Sequence, residues 1–170
     1  HQNSVATAVD KAWCFHTLKG TGASIPYYIT RHPSTVENDM ECVWLARHLV
    51  NSSGGDGITV VRPGDDWPAA PLYVKYIPKL VEFRVHVFKQ ASGFSFLNRQ
   101  KLRESNAEQD RDQRLIRNRD NGWVFGLVRD EDGAAKAQAE AEKAVATLGL
   151  DFGAVDVIIG RDDGVAYVLE

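Results

Sequence analysis

Ala154-Val155-Asp156-Val157-Ile158-Ile159-Gly160-Arg161-Asp162-Asp163-Gly164-Val165-Ala166-Tyr167-Val168-Leu169-Glu170 is the last stretch of the 170-residue sequence. Two apolar runs, 154–159 and 165–169, flank a turn cluster of Arg161, Asp162, Asp163 and Gly164, which predicts a β-hairpin. Nearly every position in both runs is apolar, so both faces of the hairpin are expected to be covered. Into that setting the sequence places Asp156 and Glu170. Each carboxylate needs a partner, because a buried unpaired charge is costly.

Register decides whether the two acids meet. A three-residue loop, Asp162-Asp163-Gly164 with Gly164 left-handed, sets Arg161 against Val165. Asp156 then lies across from Glu170, with Cβ atoms roughly 4.5–5.5 Å apart. Like charges at that spacing fit a shared hard divalent cation, with Mg²⁺ the natural candidate. A two-residue Asp163-Gly164 turn instead sends Glu170 to the opposite face and leaves one acid on a wet edge.

Hydrophobic residues make up 44% of the chain and charged residues 25%, the composition of an ordinary globular protein. The length suits one sizeable domain or two small lobes. The net charge of −3 argues against a dedicated nucleic-acid binder. No run is long enough to span a bilayer and no signal peptide is evident. Cys14 and Cys42 fit no metal spacing and read as reduced thiols of a cytoplasmic protein. The sequence begins at His1 and stops in mid-strand, as expected of a piece of something longer.

Ser4 to Gly20 predicts one helix from the spacing of Val5, Ala8, Val9, Ala12 and Leu18. Ile25 to Ile29 is extended because of Pro26. Ser34 to Glu37 reads as a capping box or a loop. Cys42 to Val50 fits helix or strand, with strand favoured by the β run Ile58–Val61 that follows the loop Asn51-Ser52-Ser53-Gly54-Gly55-Asp56-Gly57. That loop offers free N–H groups and hydroxyls that can wrap an anion, or is a mobile turn. It is not the phosphate-binding P-loop pattern. Arg62 to Pro71 is a proline-rich loop. Strands follow at 72–77 and 81–89, the second carrying Glu82, Arg84 and His86 on one face and Val81, Phe83, Val85 and Val87 on the other. The charged face reads as a site or as a solvent-exposed surface. Phe94 to Arg103 continues as strand, Glu104 to Gln113 as a polar excursion, and Trp123 to Phe125 as strand again. Arg99, Lys101, Arg103, Arg111, Arg114, Arg117 and Arg119 form the one basic neighbourhood. Ala134 to Leu148 is the clearest helix, closed by Gly149.

Taken together, Glu82-Phe83-Arg84-Val85-His86-Val87, Ile116-Arg117-Asn118 with Gly122, and Leu150 to Asp156 with Tyr167-Val168-Leu169-Glu170 resemble the ATP-grasp superfamily. Its members include glutathione synthetase, ribosomal-protein glutamate ligases and small stand-alone phage proteins. The resemblance covers nearly the whole chain from Val9. It implies an α+β fold of two lobes, 1–73 and 74–170, holding ATP between antiparallel sheets. It implies Mg²⁺ on Asp156 and Glu170, favouring the three-residue loop. Arg47 would meet the phosphates, and Ser52, Ser53, Gly54, Gly55 and Gly57 would close over them. Val74, Lys75, Tyr76 and Ile77 would be the hinge that reads adenine. Glu82 and Asn118 would support the nucleotide shell, while Arg84, Lys101 and Arg103 would hold the transferring phosphoryl group.

Three departures stand out. Lys75 stands where the family often has an acid at the hinge, the N-terminal lobe that usually helps bind the acceptor is not within these 170 residues, and Glu82 stands where Asp is frequent. The closing Glu-x-Asn motif stops at its Glu.

The chemistry implied is an ATP-dependent carboxylate–amine ligase working through an acyl-phosphate. The alternatives are a kinase on the same fold or a nucleotide-binding module without catalysis. Expected partners are ATP, a carboxylate donor and an amine acceptor, small molecule or polypeptide, with no membrane and with nucleic acid disfavoured. No Ser/His/Asp or Cys/His nucleophile is evident. The histidines read as structural, with His86 the candidate exception.

Overall fold

The computed structural model describes residues 2–32, 41–52, 55–104 and 115–170. Ser34–Glu37, Ser53, Gly54, Arg111, Arg114 and the polar excursion from Ser105 to Gln113 lie outside the described residues. The chain begins with helices α1 (Gln2–Val9) and α2 (Lys11–Leu18). The apolar spacing predicts one helix here; the break falls at Asp10. Its carboxylate accepts the N–H groups of Ala12 (2.9 Å) and Trp13 (3.0 Å), and its backbone is extended (φ −84°, ψ 109°). Capping a new helix wins over continuing the old one.

A first antiparallel sheet is built from β1 (Tyr28–Ile29), β2 (Trp44–Arg47), β3 (Ile58–Val61) and β4 (Leu72–Lys75), in the order β1-β4-β2-β3. Cys42–Val50 is therefore strand at its centre. Trp44, Ala46, Val61 and Tyr73 form the core of this sheet, with Trp67 edge-on to both Trp44 and Tyr73 at 5.7 Å. The Tyr73 hydroxyl donates to Pro68 O (2.7 Å) and accepts from Ala70 N–H (2.9 Å), fastening the proline-rich loop.

The second sheet contains β5 (Lys79–Gln90), β6 (Gly93–Arg103), β7 (Trp123–Gly126), β8 (Phe152–Gly160) and β9 (Ala166–Val168), in the order β7-β6-β5-β8-β9. Helix α3 (Glu131–Leu148) covers one face of it. Ala134, Ala137, Ala141, Ala144 and Val145 pack there against Phe83, Val85, Val87, Val155 and Val157. The small alanine face lets the helix sit low on the sheet. Cys14 and Leu18 of α2 join this core, while Phe15 packs with Leu72 and Val74, so α2 touches both sheets. Among the described residues no helix is long and apolar enough to cross a membrane.

The β8–β9 hairpin forms as expected, but its register does not follow either expected turn. Gly160 N–H donates to Val165 O (2.8 Å) and Gly164 N–H to Gly160 O (3.0 Å), so Arg161 to Gly164 make a four-residue loop. Val157 faces Val168 and Ile159 faces Ala166. The cause is Asp163, whose carboxylate accepts both Val165 N–H (3.0 Å) and the Tyr167 hydroxyl (2.7 Å), with Gly164 left-handed at φ 66°. At its open end the ladder is irregular. Asp156 O accepts from Leu169 N–H and Asp156 N–H donates to Glu170 O, both at 2.8 Å, so two residues face one. Glu170 still arrives beside Asp156, by a bulge and not by the predicted pairing.

Candidate active site

Opposite α3, the second sheet turns Glu82, Arg84, Lys101, Asp156 and Phe125 toward the first sheet, as strand alternation requires. This is no solvent-exposed surface, because the Glu82 side chain is only 3% exposed. A cleft between the sheets is walled by Leu45, Arg47 and Ile58 from one side and Lys79, Glu82, Lys101 and Ile158 from the other. The connection Val74-Lys75-Tyr76-Ile77 passes along it, and Gly55, Ile116, Arg117, Leu169 and Glu170 complete it.

Charge dominates this cleft. Among the described residues, Arg47, Lys75, Lys79, Lys101 and Arg117 line it against two carboxylates, Glu82 and Glu170. The excess is positive in a chain whose net charge is −3. Glu82 binds Lys101 at 2.5 Å and Lys79 at 3.3 Å. Burial alone would raise its carboxyl, but Lys79, Lys101 and Arg117 together hold it below its ordinary value. Lys101 also donates to Arg117 O (2.6 Å). The Arg117 guanidinium lies 4.4 Å over Trp123 and donates to Lys79 O (3.2 Å). Among the described residues, the Nε atoms of Arg47 and Arg117 are buried without a hydrogen-bond partner. Burial pushes the Arg47 guanidinium down, against the pull of Glu170. A cation buried with an unmet donor costs free energy unless something anionic joins it.

Beside the cleft, Arg84 of β5 stands directly across from Asp156 of β8 and binds it twice, Nε–Oδ1 at 2.6 Å and Nη2–Oδ2 at 2.8 Å. Its guanidinium lies 4.4 Å from the Phe125 ring centre, and Lys101 Nζ lies 4.8 Å from the same ring. Burial raises the Asp156 carboxyl; Arg84 opposes this, while the charges of Glu170 and Glu82 add to it. Glu170 is held by Lys11 at 2.9 Å, and Lys11 also donates to Ser52 O.

No protein-family model and no curated protein sequence matches the chain. Solved structures do. N5-carboxyaminoimidazole synthetase from Staphylococcus aureus, solved with ADP, superposes with TM-score 0.72 at 14% identity, over 99% of this chain and 45% of that one. D-alanine–D-alanine ligase from Bacillus anthracis gives TM-score 0.69 at 15% identity, over 100% and 58%. An Archaeoglobus fulgidus protein assigned to the ATP-grasp superfamily gives 0.61 at 15%, over 99% and 46%. The chain has the ATP-grasp fold. It spans about half the length of these three structures.

Against that ATP-grasp frame, Arg47, Gly55, Val74 to Ile77, Glu82, Lys101 and Glu170 are brought together on the cleft. Arg84 and Asp156 flank it on the same sheet face. Ser52 donates its hydroxyl to Asp56 O (2.9 Å) and Gly57 accepts from His48 N–H (2.8 Å), so both serve the loop's own shape. Asn118 accepts from Asn121 N–H (2.9 Å) and turns the chain below Gly55. Arg103 is exposed at the end of β6 and does not line the cleft. His86 stacks on Phe152 at 6.4 Å, away from the cleft.

Two buried cations, Lys11 and Lys79, escape sequence reasoning, while Arg117, read as part of the basic neighbourhood and of the Ile116-Arg117-Asn118 motif, lines the cleft. The one available signal was Lys79 three residues before Glu82.

Gly55 is the tightest point of the glycine loop. Its φ is 84°, and a Cβ there would lie 2.6 Å from Ile116 Cγ2. Gly55→Ala is expected to lower stability by about 1–2 kcal/mol, read as a fall in the urea midpoint. An unchanged midpoint would show that this contact does not hold the loop.

Arg84 engages both oxygens of Asp156 and Lys11 holds Glu170, so an Mg²⁺ ion at this pair would take the place of those cations. Asp156 and Glu170 supply hard carboxylate oxygens, and the upward push on Asp156 by burial and by Glu170 is what a cation relieves. Among the described residues no third acid, His or Cys joins them. That suits an ion whose other positions are phosphate oxygens and water.

Proposed function

We propose that the chain is the nucleotide-binding part of an ATP-dependent carboxylate–amine ligase. Its two lobes, 1–73 and 74–170, hold ATP between their sheets. The observation that carries the reading is the pair of buried, unpartnered guanidinium Nε atoms, on Arg47 and Arg117, in a cation-rich cleft of an ATP-grasp fold. A triphosphate supplies the missing acceptors and the missing negative charge.

Arg47 binds the phosphates and residues 52–57 close over them. Val74 to Ile77 offer backbone to adenine between the apolar walls of Leu45, Ile58 and Ile158. Asp156 and Glu170 hold Mg²⁺, which neutralises phosphate oxygens when bound. Arg84, already planar on Phe125, orients the γ-phosphate, with Lys101 and the more distant Arg103 supplying further positive charge. The carboxylate oxygen of the donor attacks the γ-phosphorus and the bond to ADP breaks. The amine nitrogen then attacks the acyl carbon, phosphate leaves, and the nitrogen gives up a proton. Such transfer depends on positioning and charge neutralisation more than on a protein base.

A second reading, a nucleotide-binding module without turnover, draws on the two carboxylates themselves. Both Asp156 oxygens are engaged by Arg84, and Glu170 is held by Lys11.

Mg·ADP at about 100 times its Kd is expected to stabilise the protein by about 2.7 kcal/mol, a rise in melting temperature of roughly 5–10 °C for a chain of this length. ADP with a chelator should give much less, and Asp156→Asn should remove the metal-dependent part while keeping the fold. Equal shifts with and without Mg²⁺ would overturn the metal assignment. Release of ADP and phosphate only when a carboxylate and an amine are both present supports the ligase. Binding without turnover supports the module.

A further inference from the structure

A second groove runs between α2 and β1, outside the nucleotide cleft. Trp13 and His16 of α2 and its C-cap Lys19, spaced three residues apart, line one bank, and Tyr27 to Arg31 line the other. Trp13 is 62% exposed and Tyr27 56% exposed, which is unusual for rings of that size. The Lys19 ammonium lies 5.9 Å from the centre of the Tyr28 ring. Among the described residues no carboxylate lines this groove, although the chain as a whole carries a net charge of −3.

The strand bank is an open sheet edge. In the order β1-β4-β2-β3, β1 has a neighbour on one side only among the described residues. Lys75 N–H donates to Tyr27 O at 2.8 Å, which marks Tyr27 and Lys75 as a hydrogen-bonded pair. Antiparallel pairs alternate, so Tyr28 opposite Val74 is a non-hydrogen-bonded position. Its N–H and C=O point away from β4, the side on which another strand would pair. A helix running beside an exposed strand edge is the geometry that captures extended peptides by adding a strand to the sheet.

We propose that this groove binds an extended acidic peptide segment. The peptide pairs with β1 through Tyr28, sets its carboxylates against Lys19 and Arg31, and lays its apolar side chains on Trp13 and Tyr28. The open backbone edge selects this partner over a single-stranded nucleic acid. Outward N–H and C=O groups match another peptide backbone, whereas a phosphodiester chain accepts hydrogen bonds and donates none to a carbonyl. The site shares no cation with the nucleotide cleft, so the proposal does not depend on the ligase reading.

The test is fluorescence anisotropy with a short fluorescein-labelled peptide of alternating Glu and Val, against its Lys–Val and Gln–Val counterparts and a labelled oligothymidylate. The acidic peptide is expected to bind, more weakly as salt is raised. K19E/R31E should weaken it by at least about tenfold, since two attractive contacts become repulsive, and W13A by about as much. An acidic peptide N-methylated at alternate residues should lose binding through the missing backbone donors. R47L should bind the peptide as the unaltered protein does.

Lys19, Arg31 and Trp13 are exposed, so these variants should keep their melting temperature. If one does not fold, loss of binding by the Gln–Val peptide to the unaltered protein tests the same charge complementarity. Equal affinity for the acidic and Lys–Val peptides, or for K19E/R31E and the unaltered protein, overturns the proposal. So does binding of oligothymidylate in place of the acidic peptide. Full binding of the N-methylated peptide overturns strand addition.

Discussion

Replacing Arg47 with leucine is expected to raise the melting temperature of the protein without nucleotide, and to remove most of the rise that Mg·ADP produces. The two effects have one cause. Arg47 is a largely buried cation in a cleft already rich in positive charge, its Nε without a partner among the described residues, and burial pushes its guanidinium down despite Glu170. Leaving a buried polar group unmet costs about 1–3 kcal/mol. Leucine keeps much of the stem's volume and has no such cost, so a gain of about 1 kcal/mol, or roughly 2–4 °C, is expected. With nucleotide present the balance reverses. A hydrogen bond between two charged groups contributes about 1.5–3 kcal/mol, so affinity should fall by about 10- to 150-fold. At Mg·ADP about ten times the unaltered protein's Kd, less than about a third of the shift remains. A purely structural Arg47 predicts the opposite pattern, a lower melting temperature with the Mg·ADP shift intact. Differential scanning fluorimetry on the two proteins, each with and without Mg·ADP, decides between them.

Local pattern made part of this site legible. The alternation of Val81, Phe83, Val85 and Val87 with Glu82, Arg84 and His86 is a backbone property, so the two faces of β5 could be read without knowing what covers them. What covers them could not. The face of Glu82 reads as a site or as a solvent-exposed surface until the first sheet closes over it and Lys101, nineteen residues away, reaches its carboxylate.

Three other features depended on competition between local alternatives. Asp10 fits a helical repeat that continues through it, yet its carboxylate is better used capping α2. Asp163 sets the hairpin loop through two side-chain hydrogen bonds that no residue count supplies. Lys11 looks like an ordinary surface residue of a first helix; its partners, Ser52 and Glu170, lie far along the chain. The hairpin reading set Asp156 beside Glu170, and the two do lie side by side, but through a bulge and not through the register it assumed.

Glu82→Ala is expected to be strongly destabilising. The carboxylate sits between Lys79 and Lys101, whose side chains are each 9% exposed while its own is 3% exposed. Removing it leaves two buried ammonium groups facing each other with Arg117 close by. Breaking a buried ion pair from one side costs about 3–5 kcal/mol, here roughly 10 °C in melting temperature. The cost must depend on pH in a set direction. The three cations outweigh burial and hold the Glu82 carboxyl below its ordinary value of 4.5. A carboxyl depressed in the folded state contributes stability above its unfolded pKa and loses it as pH falls through the folded one. The difference between the unaltered protein and Glu82→Ala should therefore be full near pH 7 and shrink progressively below about pH 4.5.

A triple change, Glu82→Leu with Lys79→Met and Lys101→Met, separates stability from purpose. Replacing a whole buried ionic cluster with apolar groups is often neutral or stabilising by about 1–4 kcal/mol. It should recover most of what Glu82→Ala loses while abolishing the response to Mg·ADP. Urea titrations at pH 7 and pH 3 read both. A Glu82→Ala cost below about 1 kcal/mol at pH 7, or one that is equal at the two pH values, would mean the carboxylate is not ionised between its lysines. A triple variant that still responds to Mg·ADP would mean the cluster serves the fold and not the nucleotide.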